Sequence, residues 1–440
     1  MSYDSKIQVH QSEIIVSEQI LPHLLVKQSL KLEGTAALVG AKNATLVIII
    51  SLLLTKGKST LFNVPALEDT FSIIELMNHL GADVQFNIDE NVLQVDTTHI
   101  ENVEIPFEIM NKCRASFLVL GALLARFNKA AVGLPGGCVI GERPIDYHIK
   151  NFEKMGVIFQ EEQDVLRASV KELKHRNLLL EYPSVGATEN LVLAAVLTEG
   201  TTKIINAALE PEVFDFIEVL KKMGAQITIE APATLCVKGV KELTSIDYTI
   251  MYDRLEAGAL LLAGAITGGY IDIPQAPAHA MGLFLTKLQD MGHTILIGKN
   301  GTGVKIKASK RTYPVNIKTA PYPSFPTDLQ APITAALVLT QGISKIQETV
   351  FENRLMHIKE LVKMGAQAQI EHSVAIIRGV QELYGTTVIA SDIRASCALV
   401  LAGLAAQGTT VVTGIHHWKR GYQNLEKKLQ QLGAHVNLYE

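Results

Sequence analysis

Cysteine is scarce in this chain and follows no ligand pattern. Only four copies occur among 440 residues, at Cys113, Cys138, Cys236 and Cys397. None of them forms a C-x-x-C pair or stands at metal-ligand spacing from a histidine. The sequence therefore indicates neither a disulfide framework nor a zinc site.

Long apolar runs are also missing. The longest, residues 44–54, falls well short of the roughly 20 residues that a membrane-spanning helix needs, and it predicts a buried helix instead. The first 28 residues carry charges throughout and lack the apolar core of an export signal. We therefore expect a cytoplasmic protein that does not bind membranes.

The chain has no excess of positive charge. Its 40 basic and 44 acidic residues give a net charge of −4, which argues against a general nucleic-acid-binding protein. The apolar fraction of 48% and the charged fraction of 19% are typical of a globular protein. A chain of this length has room for two or three domains.

A repeat organises the whole sequence. A helical pattern, a glycine and an alternating apolar pattern occur together six times, with intervals of 75, 68, 68, 73 and 68 residues between the glycines. The glycines are Gly81, Gly156, Gly224, Gly292, Gly365 and Gly433. Each fits the position just after a helix, where a left-handed backbone ends the helix. Six matches at nearly constant spacing indicate internal duplication.

The repeats predict the fold class. Each unit also holds a second helical segment, such as 114–127, 188–197, 254–266 and 394–406. We predict an α/β (α+β) fold of six β-α-β-α-β-β units, three in each of two domains. The sixth unit ends early, so we expect the strand-like stretch 29–39 to complete it, with chain crossings near Lys42 and Tyr252. A single domain of six units is the alternative.

One glycine-rich loop carries a cysteine and an arginine that could take part in a reaction. In residues 134–144, two glycines precede Cys138, and Arg143 follows five residues later. Glycines let the backbone approach a ligand closely, and a positive charge near a thiol suits an anionic ligand. The alternative is a surface turn that carries an incidental cysteine.

Basic residues recur where helices begin. Lys42 precedes the apolar helix, and Arg114 and Arg394 each open an Arg-Ala-Ser segment. Helix N-terminal amides also favour anions, so the duplicated arginine suggests a duplicated anion contact. For either arginine alone, a solvated side chain in the first helical turn is the alternative.

Two further segments have two possible roles each. Asp328 lies in a proline-rich loop and could act as a general base or as the N-cap of the next helix. Ser184 opens a turn that could hold a diphosphate or could simply start a helix. Arg354 and Arg420 are further candidate anion contacts.

Together these segments resemble the UDP-N-acetylglucosamine 1-carboxyvinyltransferases, a family of enolpyruvyl transferases. The resemblance runs from about residue 30 to the C-terminus, with all motifs in family order. The motifs lie at 40–44, 114–116, 135–144, 184–189, 322–328, 351–354 and 420–422. It implies a two-domain inside-out α/β barrel. The first domain would be 43–251, and the second would combine 1–42 with 252–440, with the active site in the cleft between them.

The resemblance also implies an activity. The enolpyruvyl group of phosphoenolpyruvate would pass to the 3′-hydroxyl of UDP-N-acetylglucosamine with release of phosphate, at the start of peptidoglycan precursor synthesis. It implies these two small molecules as partners and no cofactor, metal, nucleic acid or membrane, and it leaves the oligomeric state open.

Residue roles follow from the matching motifs. Cys138 would be the proton donor and could form a covalent adduct, and Asp328 would take the proton from the sugar hydroxyl or orient it. The remaining contacts fall into two groups. Phosphoenolpyruvate would meet Lys42, Asn43, Arg143, Arg354, Arg394 and Arg420. The nucleotide sugar would meet Asn43, Arg114, Arg143, Pro144, Ile145, Asp146, Tyr147, Tyr182, Pro183, Ser184, Val185, Gly186, Asp328 and Val350.

Two alternatives accompany this hypothesis. One is a 3-phosphoshikimate 1-carboxyvinyltransferase, which would use the same donor with another acceptor. The other is a paralogue that binds UDP-sugars without catalysis. The cysteine loop and the Ser184 turn favour the nucleotide sugar as acceptor.

Overall fold

The computed structural model describes residues 22–29, 31–133, 140 and 145–440. Within these ranges no helix is both long and apolar enough to cross a membrane. The helices are α1 Lys42–Ser51, α2 Glu68–Leu80, α3 Phe107–Met110, α4 Val119–Phe127, α5 Asp146–Lys154, α6 Val185–Ala195, α7 Pro211–Lys222, α8 Arg254–Thr267, α9 Gly282–Asp290, α10 Gln330–Leu337, α11 His357–Lys363, α12 Ile393–Ala405, α13 His416–Gly421 and α14 Leu425–Gln431. Short 3-10 helices span Leu52–Leu54, Arg114–Leu118, Ala278–Ala280, Lys299–Gly301 and Thr327–Leu329.

The strands are short. They are β1 His23–Lys27, β2 Glu33–Thr35, β3 Lys58–Phe62, β4 Asp83–Asn87, β5 Val92–Asp96, β6 Glu104–Ile105, β7 Lys129–Gly133, β8 Ile158–Glu162, β9 Val165–Ser169, β10 Asn177–Leu179, β11 Thr201–Ile205, β12 Gln226–Glu230, β13 Thr234–Lys238, β14 Asp247–Thr249, β15 Tyr270–Pro277, β16 Thr294–Ile297, β17 Thr302–Lys307, β18 Ile317–Lys318, β19 Ile343–Gln347, β20 Gln367–Glu371, β21 Val374–Arg378, β22 Thr387–Ile389, β23 Thr409–Thr413 and β24 His435–Tyr439.

The strands form six four-stranded sheets in the part of the chain that the structure describes. In each sheet a short outer strand runs parallel to a longer one, which pairs antiparallel with a third strand, and the third pairs antiparallel with the fourth. The orders are β14-β3-β5-β4, β6-β7-β9-β8, β10-β11-β13-β12, β16-β17-β15-β2, β18-β19-β21-β20 and β22-β23-β1-β24. Helical segments connect the parallel pairs β6-β7, β10-β11, β18-β19 and β22-β23, because parallel strands need a crossover connection. The outer strands β14 and β2 instead pair with β3 and β15, which lie far away in the sequence. This arrangement confirms the mixed α/β class and the β-α-β-α-β-β unit.

The six repeat glycines all have a left-handed backbone. Their φ angles lie between +97° and +109°. Gly81 caps α2 in the left-handed conformation, and its N–H bonds back into the last helical turn. This confirms the predicted helix ends, since a side chain at such a φ is strained.

One prediction about the chain ends is wrong. The last sheet is completed by β1, which lies before the stretch 29–39 and pairs antiparallel with β23 and β24. The stretch itself contains β2, which pairs parallel with β15 in the fourth sheet. Leu24 and Val26 are fully buried, whereas all three residues of β2 are exposed. The alternating apolar face that fills the last sheet therefore belongs to β1.

The most completely buried helices lie inside, and the sheets expose one face. Helices α8, α10 and α12 pack against one another, and α10 is buried along its whole length. Helices α4 and α6 are in contact in the same way, and α1 lies beside α4. The strands bury one face, as the alternating burial of β5 and β21 shows. A helix that is apolar on all sides must lie inside the packed core.

Among the described residues, the buried apolar side chains form two clusters. The first apolar cluster draws on residues 41–250, and the second on residues 24–38 together with 255–436. The connecting segments lie side by side, since Ala41 N–H donates to the Met251 carbonyl at 2.7 Å and Asp253 N–H to that of Val39 at 2.9 Å. The division into domains at 42/43 and 251/252 stays a prediction, and these clusters agree with it.

Candidate active site

Four of the buried helical segments in the described ranges carry a basic residue in their first turn. Lys42 opens α1, Arg254 opens α8, Arg394 lies in the first turn of α12, and Arg114 starts the 3-10 helix before α4. Duplication places these positions at equivalent ends of the units. Helix N-termini also carry partial positive charge, so this end of the fold favours anions.

Asp69 joins two predicted contacts from opposite ends of the chain. Its carboxylate pairs with the Lys42 ammonium group at 2.5 Å and with Arg420 Nε at 2.7 Å. Burial alone would raise the pKa of Asp69, but the charges of Lys42 and Arg420 outweigh it and lower the pKa. The structure therefore brings Lys42 and Arg420 together, across the two apolar clusters.

Asp328 joins two further predicted contacts. Its two carboxylate oxygens accept from Arg354 Nη2 at 2.5 Å and from Arg394 Nη2 at 3.1 Å. Burial opposes the charged carboxylate, yet the Arg394 and Arg354 guanidinium groups hold the pKa of Asp328 well below its usual range. The N-cap alternative for Asp328 is wrong, because helix α10 begins after Leu329 without a side-chain cap. A solvated Arg394 is also wrong, since only 4% of it is exposed.

Arg354 keeps a donor free for a ligand. Its Nη1 donates to the Thr327 hydroxyl at 3.1 Å, and the Thr327 hydroxyl donates to buried Glu348 at 2.9 Å. Within the described ranges, Arg354 Nε is buried without an acceptor. Buried donors normally have a partner, so this nitrogen suits an incoming anion.

Buried acidic residues connect the two ion clusters. An Asp253 oxygen accepts from the backbone N–H of Lys42 at 3.4 Å, and its other oxygen caps α8. Burial raises the pKa of Asp253, while the Arg394 charge opposes that shift. Arg254 beside it makes a two-point contact with Glu212 at 2.9 and 3.1 Å. Residues of both apolar clusters thus meet at the chain crossing.

The predicted nucleotide contacts lie mostly in partly accessible positions. Residues 145–147 and 182–186 are half-buried, as are Arg114 and Val350, and Asn43 is exposed. The Ser184 hydroxyl accepts from Ala187 N–H at 3.3 Å and caps α6. The helix-start alternative for this turn is therefore confirmed. Its diphosphate role stays a prediction.

The cysteine loop falls mostly outside the described residues. Cys138, Arg143 and Pro144 are not among the described residues, so their roles stay predictions. Ile140 is described, and its carbonyl accepts from the N–H of Asn353, next to Arg354, at 3.0 Å. Cys113 and Cys397 are buried, and burial raises the pKa of each thiol to about 12.

Sequence reasoning missed several residues of this site. Asp69 follows Glu68 in the first turn of α2, where acidic residues are common. Glu348 ends an ordinary strand pattern. Asp253 carried a signal, because it precedes the α8 Arg254 much as Asp392 precedes Arg394. Comparing the repeats unit by unit predicts this position.

Comparison with known proteins agrees with this geometry. The profile of the EPSP synthase (3-phosphoshikimate 1-carboxyvinyltransferase) family matches residues 26–429. A UDP-N-acetylglucosamine 1-carboxyvinyltransferase of Desulfosudis oleivorans is 44% identical over 94% of this chain and 99% of its own length. The chain belongs to the UDP-N-acetylglucosamine 1-carboxyvinyltransferase family. A member from Geobacter metallireducens is 43% identical over 94% of this chain and 98% of its own.

Solved structures support the fold of this family member. The enolpyruvyl transferase NikO from Streptomyces tendae superposes with a TM-score of 0.86 at 23% identity, over 95% of this chain and 99% of that one. EPSP synthase from Acinetobacter baumannii gives 0.76 at 15% identity, over 95% and 100%. At these identities the likeness concerns the fold alone.

Proposed function

We propose that this chain transfers the enolpyruvyl group of phosphoenolpyruvate to the 3′-hydroxyl of UDP-N-acetylglucosamine. Membership of the family supports this activity, which would supply a precursor of peptidoglycan. The observation that carries the proposal is the pairing of Lys42 with Arg420 and of Arg354 with Arg394 around two carboxylates. Such a concentration of cations, most of them buried, requires anionic partners.

The charges fit phosphoenolpyruvate. In direct contact, four cationic side chains share only the two carboxylates Asp69 and Asp328, an excess of two positive charges within these contacts. Arg143, predicted from the motif, would add a third. A phosphate and a carboxylate together carry up to three negative charges, so phosphoenolpyruvate would neutralise this set. Charge-assisted contacts of this kind contribute about 1.5–3 kcal/mol each.

The reaction proceeds by addition and elimination in this proposal. The 3′-oxygen of the sugar bonds to C2 of phosphoenolpyruvate while the methylene carbon gains a proton, for which Cys138 is the proposed donor. Return of a methyl proton to the resulting Cys138 thiolate and departure of phosphate would restore the double bond. A cysteine with an ordinary pKa near ~8.5 is mostly protonated at neutral pH, as a donor must be.

Asp328 would accept a hydrogen bond from the 3′-hydroxyl of the sugar. Its two arginines keep it ionised and aim it, so its first task is orientation of the attacking oxygen. Proton transfer to Asp328 would accompany bond formation, when the hydroxyl becomes more acidic. The nucleotide would extend along Arg114, residues 145–147 and residues 182–186.

The distribution of the site residues between the two apolar clusters also supports two domains with a cleft between them. We propose domains 43–251 and 1–42 plus 252–440, which correspond to the two apolar clusters. Asp69 and Asp328 each belong with a different cluster. Closing a cleft between them would exclude water and strengthen the interactions of the cations with substrate.

Phosphate release tests the proposal directly. The purified chain should release phosphate from phosphoenolpyruvate when UDP-N-acetylglucosamine is the acceptor, and should not do so with shikimate 3-phosphate. The family profile carries the name of the shikimate enzyme, so this comparison matters. Release with shikimate 3-phosphate alone would overturn the choice of acceptor. Binding of the nucleotide sugar without any turnover would instead support the non-catalytic paralogue.

Thiol labelling should single out Cys138. An epoxide phosphonate that mimics phosphoenolpyruvate should alkylate this residue, whereas Cys113 and Cys397 should stay unmodified because both side chains are buried and out of the reagent's reach, and burial raises the pKa of each thiol to about 12. Mass spectrometry of peptides locates the adduct. Cys138→Ser should abolish labelling, and Cys113→Ser, the matched control, should not. Adducts at Cys113 or Cys397 would count against the role given to the cysteine loop.

A further inference from the structure

Buried polar atoms without partners are concentrated next to Arg354. Within the described ranges, the buried side-chain atoms that make no hydrogen bond include Arg354 Nε and both ring nitrogens of His357. Native proteins leave few buried polar groups unpaired, so each such group has a physical reason. For Arg354 Nε the reason proposed above is an anionic ligand. His357 is not among the predicted site residues, and its two nitrogens need a separate account.

His357 is an enclosed residue at the start of α11. Only 1% of it is exposed, and α11 packs against α12, which carries Arg394. Burial lowers the pKa of His357 to about 4, while the charge of Asp392 and the carbonyl of Arg354 oppose that shift. The ring is therefore neutral at physiological pH, with one N–H donor and one acceptor nitrogen.

Of the two acceptors that act on the ring, Asp392 already has partners. One of its oxygens caps α12, and the other accepts from the Ser391 hydroxyl at 3.0 Å. The Arg354 carbonyl lies before α11, where Ile358 N–H donates to the Leu355 carbonyl at 3.1 Å. The Arg354 carbonyl influences the His357 ring, yet no hydrogen bond joins the two groups. They are close but outside hydrogen-bond geometry, which is strict in angle and distance.

The connection between a ligand and this ring would run through Arg354 itself. Its guanidinium group is held by Thr327 and Asp328. An anion that binds Nε competes with Asp328 for the guanidinium group, so Arg354 must shift toward the anion. Only 4% of Arg354 is exposed, and a closely packed residue transmits such a shift to its own backbone.

We propose that His357 is a positioning residue of Arg354, and that its Nδ1–H donates a hydrogen bond to the Arg354 carbonyl when the guanidinium group binds the anionic substrate. Nδ1 is the ring nitrogen nearer to the main chain and often donates to backbone carbonyls. Binding then satisfies Arg354 Nε and the His357 donor together. This role rests on the proposed function, because phosphoenolpyruvate is the ligand which that function assigns to Arg354.

The first test separates the donor from the ring. His357→Phe keeps a ring of similar shape and loses the donor, so the KM for phosphoenolpyruvate should rise about 3- to 10-fold, as expected for one lost hydrogen bond. The KM for UDP-N-acetylglucosamine should stay that of wild type. His357→Asn places an N–H close to the position of Nδ1 and should restore most of the loss. Steady-state kinetics with each substrate varied in turn measure these effects.

His293→Phe is the matched control. His293 is also buried, and its Nε2 is likewise unpaired within the described ranges. Its Nδ1 accepts from the N–H of Ser309 at 3.2 Å, and it makes none of the contacts described for the candidate site. The KM for phosphoenolpyruvate of this variant should equal that of wild type.

The outcomes separate this inference from the proposed function. Equal values of the KM for phosphoenolpyruvate in wild type and His357→Phe would overturn the role of His357. Equal rises for His357→Phe and His357→Asn would also overturn it, because the N–H would then be irrelevant. So would equal rises for His357→Phe and His293→Phe. A wild-type chain that neither binds phosphoenolpyruvate nor turns over would instead refute the proposed function, and with it the ligand on which this role depends.

A second measurement needs no variant and decides the matter if His357→Phe does not fold. Crystal structures of the wild-type chain with and without phosphoenolpyruvate give the distance from His357 Nδ1 to the Arg354 carbonyl oxygen. This distance should fall to about 2.7–3.2 Å, with a nearly linear N–H···O angle, only when the ligand is bound. A bound ligand at Arg354 with the ring still unpaired would contradict the proposal.

Discussion

Asp328→Asn should lower kcat by about 10²- to 10⁴-fold, the range expected for loss of a general base. Asparagine keeps the shape but can neither take the proton nor carry the charge that holds Arg354 and Arg394. The KM for phosphoenolpyruvate should stay the same or fall, because both guanidinium groups become available to it. Steady-state kinetics with each substrate varied in turn measure both effects. An unchanged kcat would remove Asp328 from the mechanism.

The same variant should unfold more easily. Leaving two buried arginines without their carboxylate costs about 3–5 kcal/mol by comparison with other broken buried pairs. Inorganic phosphate should restore part of the loss. The pKa of Asp328 is lowered in the folded state, so its stabilisation is present above the ordinary carboxyl pKa of 3.8 and is lost as pH falls below it. Asp328→Asn should lack this pH-dependent part of the stability.

Asp272→Asn is the matched control for Asp328. Its carboxylate pairs with Lys305 at 2.7 Å, and almost half of the lysine side chain is exposed. Exposed pairs of this kind contribute about 0–1 kcal/mol. Asp272→Asn should therefore leave both turnover and denaturant midpoint nearly unchanged. A large effect of this control would show that any loss of a carboxylate disturbs the fold.

Asp69→Asn should reduce the free energy of unfolding by about 3–5 kcal/mol, since it leaves buried Lys42 without a counter-charge. It should also weaken the link between the two apolar clusters, because Asp69 is the contact that joins Lys42 to Arg420. Denaturant titration measures the change. Phosphoenolpyruvate should raise the melting temperature of the variant more than that of wild type, because its charges can replace those of Asp69.

Glu75→Gln supplies the control on the same helix. Glu75 pairs with Lys112 at 2.6 Å, but about half of each side chain is exposed. Solvent screens this pair, so its removal should change stability by less than about 1 kcal/mol. Equal losses for Glu75→Gln and Asp69→Asn would show that the buried bridge has no special role.

Local patterns predicted much of the fold. Predicting the six helix ends at glycine needed only the rule that a helix often ends in a residue with a left-handed backbone. All six glycines have that backbone. The apolar run 44–54 became α1 and the short 3-10 helix after it. Strand partners were harder, because pairing depends on residues far apart. The three-residue strand β2 has no apolar face, so nothing local distinguished its partner β15.

The candidate site was also predictable only in part from the sequence. Motifs identified Lys42, Arg354, Arg394, Arg420 and Asp328, and the structure places them in two ion clusters. No motif indicated which acid would pair with which base. Asp69 and Arg420 stand 351 positions apart, and an acidic residue in a first helical turn is too common to attract notice.

By itself, then, the order of residues determined the repeated unit, the ends of its helices, and a set of chemical groups typical of enolpyruvyl transfer. These follow from neighbouring residues, whose backbone preferences act over one or two turns. Only the tertiary structure decided that Asp69 bridges Lys42 and Arg420 and that Asp328 lies between two arginines. Each of these depends on burial and on distances of a few ångströms between distant segments, and charge and hydrogen-bond energies change steeply over such distances.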